Sequence, residues 1–228
     1  PFLESSFNVR ARSKVGASGV WQFMRYIGSH FMTIDRRQDG RLQPLMATAA
    51  ALHLLKQNLK IMGRWDLAIA AYNSGTKHLL KGKRLMQKKN KVASLANILE
   101  YYEHDHIGFA SKNFFAEFLA LTRALAYKDK IFQQPKQNKQ TIHAYVSLCS
   151  IKPKWFFSSM KKYDSNIINE NRHFERRYHN HSYPRGTVLF TDSDLTERRY
   201  YKVDPKLMTK RYPKNWVELA KSHRCSTK

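Results

Sequence analysis

The chain contains few cysteines, few acidic residues and no long apolar run. Cys149 and Cys225 are its only cysteines, and the sequence has neither a Cys-x-x-Cys unit nor paired histidines with zinc-site spacing. A structural metal is therefore not expected. Two cysteines allow one internal disulfide, which an oxidising compartment would permit and the cytosol would not, so the sequence leaves their state open. Because no stretch approaches the roughly 20 apolar residues of a membrane-spanning helix, no transmembrane segment is predicted.

Basic residues outnumber acidic ones along the whole chain. The 41 Lys and Arg against 17 Asp and Glu give a formal net charge of +24. Residues 1–134 hold 21 basic and 9 acidic residues, and residues 135–228 hold 20 and 8, so each part carries +12. This excess indicates an anionic partner or surface, although solubility alone would also account for it. Nucleic acid is the less favoured partner, because the sequence shows no recognisable nucleic-acid motif.

Two histidine segments invite a metal interpretation that the sequence does not favour. They are residues 104–106 (HDH) and 179–181 (HNH). Alternating residues point together only in a defined strand, and no further ligand is evident beside either segment. Both are predicted to be polar loops, and the chain is expected to bind no metal and no cofactor.

Apolar spacing predicts that the first part of the chain is mainly helical. Apolar residues recur every three or four positions from Leu45 to Met62, which is typical of a helix that buries one face, and Gly63 is its predicted end. Residues 65–72 predict a second, buried helix that ends at 73–75. Helical spacing returns at 92–102 and at 114–126, and the second of these stretches has apolar residues predicted to lie in the core: Phe114, Phe115, Phe118, Leu119, Leu121, Leu125 and Ala126.

A polar segment at 133–140 predicts a linker, because it contains a proline and lacks apolar spacing. Beyond it, residues 141–148 alternate like a strand, and residues 183–190 predict a turn followed by a strand. Pro153 is predicted to open a short amphipathic helix.

Seven basic residues and no acidic one lie between Lys77 and Lys91. Such runs are usually a solvated loop or helix face, which is the favoured interpretation. The functional alternative is a basic wall beside a binding cleft.

Three ordered blocks carry a family resemblance. They read ESSFN at residues 4–8, GASGVWQFM at 16–24 and AAYNSG at 70–75. In this order they resemble the lysozyme-like lytic transglycosylases, whose pattern runs Glu-Ser, Gly-Leu-Trp-Gln-Phe-Met and Ala-Tyr-Asn, and among these the membrane-bound murein transglycosylase D type. Any one block would be weak, whereas the ordered set is specific. In the family a helix runs into the glutamate, so further residues, including an export signal, are expected before residue 1.

The resemblance implies cleavage of the β-1,4 bond between N-acetylmuramic acid and N-acetylglucosamine in peptidoglycan. Glu4 would be the single general acid and base, with a pKa raised by burial against apolar neighbours such as Phe7, Phe23 and Tyr72. With no clear second carboxylate in the matched blocks, assistance by the substrate's own N-acetyl group is favoured and would leave a 1,6-anhydro end, with lysozyme-type (muramidase) hydrolysis as the alternative. An exposed carboxylate at a helix end is the alternative for Glu4.

Block matching also implies residues that bind the substrate. Ser13 would hydrogen-bond near the acid, Gln22 and Phe23 would contact the sugar, Gly19 would allow close backbone approach, and Tyr72 and Asn73 would line the cleft. Each has a structural alternative: Ser13 as a helix cap, Gln22 as a surface residue, Tyr72 as a core ring.

One family motif is altered. The family usually carries the motif Glu-Thr-Arg-x-Tyr-Val ahead of a Leu-Ala helix. When that helix is aligned with residues 118–120, Ala110 stands at the position of the glutamate and Phe114 at that of the tyrosine. Loss of a carboxylate and a hydroxyl removes hydrogen-bonding capacity, so we hypothesise a modified substrate, for instance de-N-acetylated peptidoglycan. Sequence drift is the alternative.

The sequence thus predicts a mainly α fold: a lysozyme-like helical domain over residues 1–134 and a small basic α+β annex over 141–228, for which wall binding is the suggested role. The expected partner is peptidoglycan, the expected state a monomer, and the expected location the periplasm or the exterior of a bacterium. The alternatives are a catalytically inactive wall-binding protein and, less favoured, a nucleic-acid binder.

Overall fold

Helices form most of the first 132 residues in the computed structural model. It describes residues 1–102, 109–132, 141–152, 154, 171–174, 180–192, 194–195 and 199–225, with the backbone alone at 109, 110, 205, 208 and 209. The described chain separates into two compact units: unit 1 comprises Pro1–Ala51 and Asn138–Lys228, and unit 2 comprises Leu52–Gln137. The predicted helical domain with a small α+β annex is confirmed as a fold class.

Unit 1 combines short helices with a small sheet. Its helical elements are α1 (Phe2–Ser5), α2 (Arg25–Phe31), a 3₁₀ turn (Gly40–Leu42), the start of α3 (Pro44–Met62), α9 (Pro205–Lys210), a second 3₁₀ turn (Pro213–Trp216) and α10 (Val217–Lys221). Asp39 caps the first 3₁₀ turn by accepting a hydrogen bond from the Arg41 N–H, and Asp204 caps α9 in the same manner.

Three antiparallel strands form the sheet of unit 1, in the order β2, β1, β3. They are β1 (His143–Ser147), β2 (Val188–Thr191) and β3 (Tyr200–Lys202), and the first two confirm the predicted strands. Tyr145 pairs with Leu189 on one side and with Lys202 on the other. The sheet packs on an apolar cluster of Tyr145, Ile151, Phe174, Tyr183 and Leu189.

The first 51 residues and the C-terminal segment are joined within unit 1 by backbone and ring contacts. The Asp39 N–H donates to the His173 carbonyl at 2.7 Å, and the Tyr183 hydroxyl donates to the Arg37 carbonyl at 2.8 Å. Phe31 and Tyr212 meet edge to face at 5.1 Å. The C-terminal segment is therefore part of the fold that carries Glu4. The functional division into residues 1–134 and 141–228 stays a prediction.

Cys149 and Cys225 form a disulfide. It connects the segment after β1 with the segment after α10, so the pairing that the sequence left open is present in the structure.

Unit 2 is helical. It contains the end of α3, α4 (Trp65–Ser74), α5 (Thr76–Lys88), α6 (Leu95–Tyr101), α7 (Phe109–Ala126) and α8 (Lys128–Ile131). The predicted end of α3 at Gly63 and the predicted burial of α4 are confirmed, because Gly63 has a left-handed φ of 76° and Leu67–Ala71 are buried. The core consists of Met62, Leu67, Ala70, Ala71, Leu79, Met86, Leu95 and Ile98.

The prediction that the whole apolar stripe of α7 is core was wrong at three positions. Phe114, Phe115, Phe118 and Leu121 are half-buried, but Leu119 and Leu125 are 51% and 55% exposed, and Ala126 is exposed too. The stripe is wider than the surface that α4 covers. The predicted linker at 133–140, the helix after Pro153, the 104–106 segment and His179 lie outside the described residues.

Candidate functional site

Glu4 lies on the short helix α1 and is mostly shielded from water. Burial raises the pKa of its carboxyl group from 4.5 to about 6, while the positive charge of the Pro1 amino group acts in the opposite direction. No described residue donates a hydrogen bond to this carboxylate. A carboxyl group with this pKa holds its proton in mildly acidic water and can deliver it to a leaving oxygen.

Ser5 fixes the position of α1. Its hydroxyl donates to the Val20 carbonyl at 2.9 Å and thereby ties the helix to the glycine-rich loop. Ser6 and Phe7 then adopt left-handed φ values of 49° and 61°, which end the helix within one turn. Ser5 was not predicted to have a role, although its position next to Glu4 in the Glu-Ser block could have indicated one.

Gly19 and Gln22 build the loop that follows. Gly19 has a φ of 77°, and a β carbon there would lie 1.8 Å from the Arg41 carbonyl oxygen, so only glycine fits. Gln22 also has a positive φ, 45°, and its side-chain N–H donates to the Gly19 carbonyl at 2.8 Å and the Ala11 carbonyl at 3.3 Å. The close approach at Gly19 is thus made by the protein's own backbone. Contact of Gln22 with a sugar stays a prediction.

The buried Arg41 side chain binds this loop, and nothing in the sequence had marked it as a candidate. Its guanidinium forms a two-point ion pair with Asp39, at 2.9 and 2.8 Å. It also donates to the Gly16 carbonyl at 2.8 Å and to the Phe23 carbonyl at 3.0 Å. Both side chains are less than 10% exposed. These bonds satisfy a buried charge and hold the two ends of the glycine-rich block in place.

Ser13 closes a tight turn at the start of the block. Its hydroxyl accepts the Ala17 N–H at 2.9 Å, and its own N–H donates to the Ala17 carbonyl at 2.9 Å. The residue does not cap a helix, so that alternative was wrong. Its predicted hydrogen bond near the acid stays a prediction.

The aromatic residues of the block point into unit 1. Phe23 is 3% exposed and packs against Phe31 at 6.3 Å, while the Trp21 indole N–H donates to the Thr48 hydroxyl at 2.9 Å. These contacts anchor the loop on α2 and α3. The predicted contact of Phe23 with substrate stays a prediction.

Tyr72 and Asn73 lie at the end of α4, in unit 2. Tyr72 is half-buried and Asn73 is exposed. The Asn73 side-chain oxygen accepts a hydrogen bond from the Ser111 hydroxyl on α7 at 2.8 Å. Ser111, which lies in the altered family motif, was not singled out from the sequence. The predicted role of Tyr72 and Asn73 in a cleft stays a prediction.

The basic run after Asn73 forms the exposed face of α5. Lys77, Lys81, Arg84 and Lys88 recur at helical spacing and are exposed, whereas Leu79, Gly82 and Met86 on the opposite face are buried. The favoured interpretation as a solvated helix face fits these positions. The alternative of a basic wall beside a cleft stays a prediction.

Within the described ranges, no group of three or more His, Cys, Asp or Glu residues could hold a metal ion. Among the helices of that part of the chain, none combines the length and the apolar character needed to cross a membrane.

Comparison with known proteins agrees with the motifs. A profile of the Transglycosylase SLT domain matches residues 1–95. Over 93 residues the chain is 32% identical to Membrane-bound lytic murein transglycosylase D of Escherichia coli (strain K12), which is 40% of this chain and 21% of that protein. The protein of the same name from Escherichia coli O6:H1 gives the same values.

A protein of Alteromonas sp. (strain M-1) named for tributyltin chloride resistance is 36% identical over 97 residues, which is 42% of this chain and 46% of that protein. The chain thus spans from about a fifth to about half of the length of these curated relatives. The matched segment contains Glu4, the glycine-rich loop and the end of α4. The family resemblance is confirmed over residues 1–95: this segment matches the Transglycosylase SLT domain and is similar to the lytic murein transglycosylases.

Proposed function

We propose that this protein cleaves the β-1,4 bond between N-acetylmuramic acid and N-acetylglucosamine in peptidoglycan, with Glu4 as the general acid and base. The observation that carries the proposal is the partly buried Glu4 carboxyl group, whose pKa, raised by desolvation to about 6, suits proton transfer near neutral pH. It lies within the segment that matches the Transglycosylase SLT domain. Glu4 would first protonate the departing glycosidic oxygen and then accept a proton in the second step.

The other carboxylates of residues 1–51 support a mechanism with one carboxylic acid. Asp39 is fully engaged by Arg41 in a buried ion pair, and Asp35 accepts hydrogen bonds from the N–H groups of Arg37 and Gln38 at 2.7 and 3.0 Å. Two-carboxylate glycosidases need a second acid at a defined distance from the first. In this segment, assistance by the substrate's N-acetyl group therefore fits better than a second protein nucleophile.

Replacement of Glu4 by Gln tests the proposal. The variant keeps the size of the side chain but cannot supply the proton, so release of soluble fragments from purified sacculi should fall by about 10²- to 10⁴-fold. Glu218→Gln is the matched control, because Glu218 is an exposed glutamate on α10, and this variant should digest sacculi at the wild-type rate. Activity of Glu4→Gln above a tenth of the wild-type rate would assign the proton transfer to another group.

The same assay distinguishes an inactive wall-binding protein. Such a protein would sediment with sacculi but release no fragments, and Glu4→Gln would change neither property. Mass spectrometry of the fragments identifies the chemistry, because a 1,6-anhydro end is lighter than a hydrolysed, reducing end by one water.

The preferred substrate is proposed to be a peptidoglycan unlike the usual one, for instance a de-N-acetylated strand. Where the muramic acid lacks its acetyl group, N-acetyl assistance is not available and attack by water would replace it. Ala110 and Phe114 stand where the family has a glutamate and a tyrosine, which removes two polar groups from that motif. Parallel digestion of acetylated and deacetylated sacculi tests this point, and equal rates on both would contradict it.

The proposed place of action is outside the cytoplasm, in the periplasm or beyond it. The disulfide between Cys149 and Cys225 supports this location, because disulfides persist in oxidising compartments. The net charge of +24 keeps nucleic acid as a competing partner. Duplex DNA that displaced the protein from sacculi at physiological salt would favour that competitor.

A further inference from the structure

Unit 1 contains a cavity beside the glycine-rich loop, and Ser13 is the one lining residue with a predicted substrate-binding role. Its volume is about 470 Å³. The lining residues come from the loop, from the start of α2 and from the buried arginine: Arg12, Ser13, Lys14, Val15, Gly16, Ser18, Met24, Arg25, Tyr26 and Arg41. The cavity therefore shares Ser13 and Gly16 with the loop that Arg41 holds in place.

The described lining of the cavity is positively charged and contains no acidic residue. The charge of Arg41 is matched by Asp39. Arg12, Lys14 and Arg25 add three further cations, all on exposed residues. Arg25 reaches the Ile34 carbonyl at 3.2 Å, which holds its side chain across the start of α2 without neutralising it. An anionic group is the ligand that this lining favours.

Exposed apolar side chains complete the lining. Val15 is 75% exposed, Met24 44% and Tyr26 73%. Bare phosphate offers nothing for such side chains to contact. A short peptide with carboxylates and small apolar side chains complements both parts of the cavity.

We propose that this cavity binds a carboxylate of the peptide that peptidoglycan carries on its muramic acid residues. The proposal rests on the proposed function and adds a peptide subsite to it. The peptide is attached to the sugar next to the bond that is cut, and the cavity shares its loop with the residues predicted to bind the glycan. Occupation of the cavity would therefore position a strand through its peptide as well as through its sugars.

The test compares glycan strands that carry peptides with strands from which an amidase has removed them. Wild-type protein should show a lower KM on the peptide-bearing strands. Lys14→Gln combined with Arg25→Gln should raise that KM by about three- to tenfold, which is the effect of two partly screened charge contacts, and leave kcat unchanged. On stripped strands the double variant should match the wild type.

Arg36→Gln combined with Lys210→Gln is the matched control, since it removes the same charge from exposed residues of unit 1 outside the cavity lining. An equal rise of KM on both kinds of strand, or in the control, would reduce the effect to general attraction and overturn the proposal. A wild-type KM that is the same on peptide-bearing and on stripped strands would also overturn the proposal.

A binding titration separates this proposal from the proposed function. The probe is the free stem peptide, compared with the same peptide amidated at every carboxyl group, with inorganic phosphate as competitor. Preference for the free acid that is lost in Lys14→Gln supports the subsite even if no glycan is cut. Equal affinity for both peptides, or complete displacement by millimolar phosphate, contradicts it.

Discussion

Each unit contains an Arg–Asp ion pair between residues two positions apart, and the two pairs differ in burial. In unit 1 the side chains of Arg41 and Asp39 are 5% and 8% exposed. In unit 2 those of Arg64 and Asp66 are 48% and 15% exposed. The buried pair also binds two backbone carbonyls of the glycine-rich loop, whereas unit 2 is organised around an apolar helical core. Unit 1 thus holds its candidate residues with buried polar contacts, and unit 2 holds its own with helix packing.

Two glycines with similar positive φ values give the largest expected contrast. Gly19 in unit 1 and Gly75 in unit 2 have φ values of 77° and 79°, but a β carbon would lie 1.8 Å from the Arg41 carbonyl oxygen at Gly19 and within 4 Å of nothing at Gly75. Gly19→Ala should lower the free energy of unfolding by more than about 4 kcal/mol, because the backbone must move. Gly75→Ala should show only the cost of placing a β carbon at a φ of 79° and a ψ of 157°, about 1–3 kcal/mol.

Urea denaturation combined with hydrogen exchange of amides in residues 1–51 and 52–102 measures both effects. Similar losses in the two variants would show that the contact between Gly19 and Arg41 imposes no constraint.

Removal of the arginine from each ion pair gives the second contrast. Arg41→Met leaves the Asp39 carboxylate buried without its partner and should reduce the free energy of unfolding by about 3–5 kcal/mol. Arg64→Met should have little effect, since its guanidinium is exposed and Asp66 keeps the Leu95 N–H as a donor at 2.9 Å. Thermal unfolding of both variants checks this. A large loss in Arg64→Met would remove the distinction between the units.

The sequence predicted the parts of the fold that local patterns specify. The apolar spacing from Leu45 to Met62 predicted α3, and alternation in residues 141–148 predicted β1, because each pattern reflects one buried face. Packing of the first 51 residues against the C-terminal segment was missed. Its contacts, such as that between Arg37 and Tyr183, join residues far apart in sequence and leave no periodic signal.

The candidate site also contains residues that sequence motifs predicted and residues that they missed. Glu4 and the glycine-rich block were found through their ordered motifs. Arg41 was missed because arginine is normally exposed, and only the structure shows the carbonyls that make its burial possible. Ser111 was missed because its partner Asn73 lies 38 positions away.

Two partly buried carboxylates, those of Glu4 and Asp66, have opposite pKa shifts and should therefore have opposite pH dependences. The pKa of Glu4 is raised to about 6, so its protonated form stabilises the fold at low pH, and that contribution is lost as pH rises from 4.5 through 6. The shift corresponds to at most about 2 kcal/mol. Glu4→Gln should thus be more stable than the wild type above pH 6 by up to that amount, with the difference gone below pH 4.

Asp66 provides the matched comparison. Burial opposes its ionisation, but hydrogen bonds from Arg64, Leu95 and Leu67 and the charge of Arg64 outweigh burial and lower its pKa. Its ionised form stabilises the fold above pH 3.8, and this is lost as pH falls through the lowered pKa. Asp66→Asn should therefore destabilise the protein at neutral pH. Denaturation curves of both variants between pH 3 and 8 test the signs, and parallel curves would contradict both assignments.

The smallest expected effect concerns Ser111, whose hydroxyl donates to Asn73 at 2.8 Å on the exposed end of α4. Ser111→Ala should change the free energy of unfolding by less than about 1 kcal/mol, because water replaces the lost bond. If Ser111 orients Asn73 toward a glycan, kcat/KM on sacculi should nevertheless fall by about three- to tenfold. Ser111→Thr, which keeps the hydroxyl, should restore it.

Thr122→Ala is the control on the same helix, since the Thr122 hydroxyl only donates to the Phe118 carbonyl of its own helix at 2.8 Å. Combination of Ser111→Ala with Asn73→Ala distinguishes orientation from simple packing. If Ser111 acts only through Asn73, the double variant should be no less active than Asn73→Ala alone. Additive losses would mean that Ser111 acts independently, and unit 2 would then hold Asn73 by the packing of α4 on α7 alone.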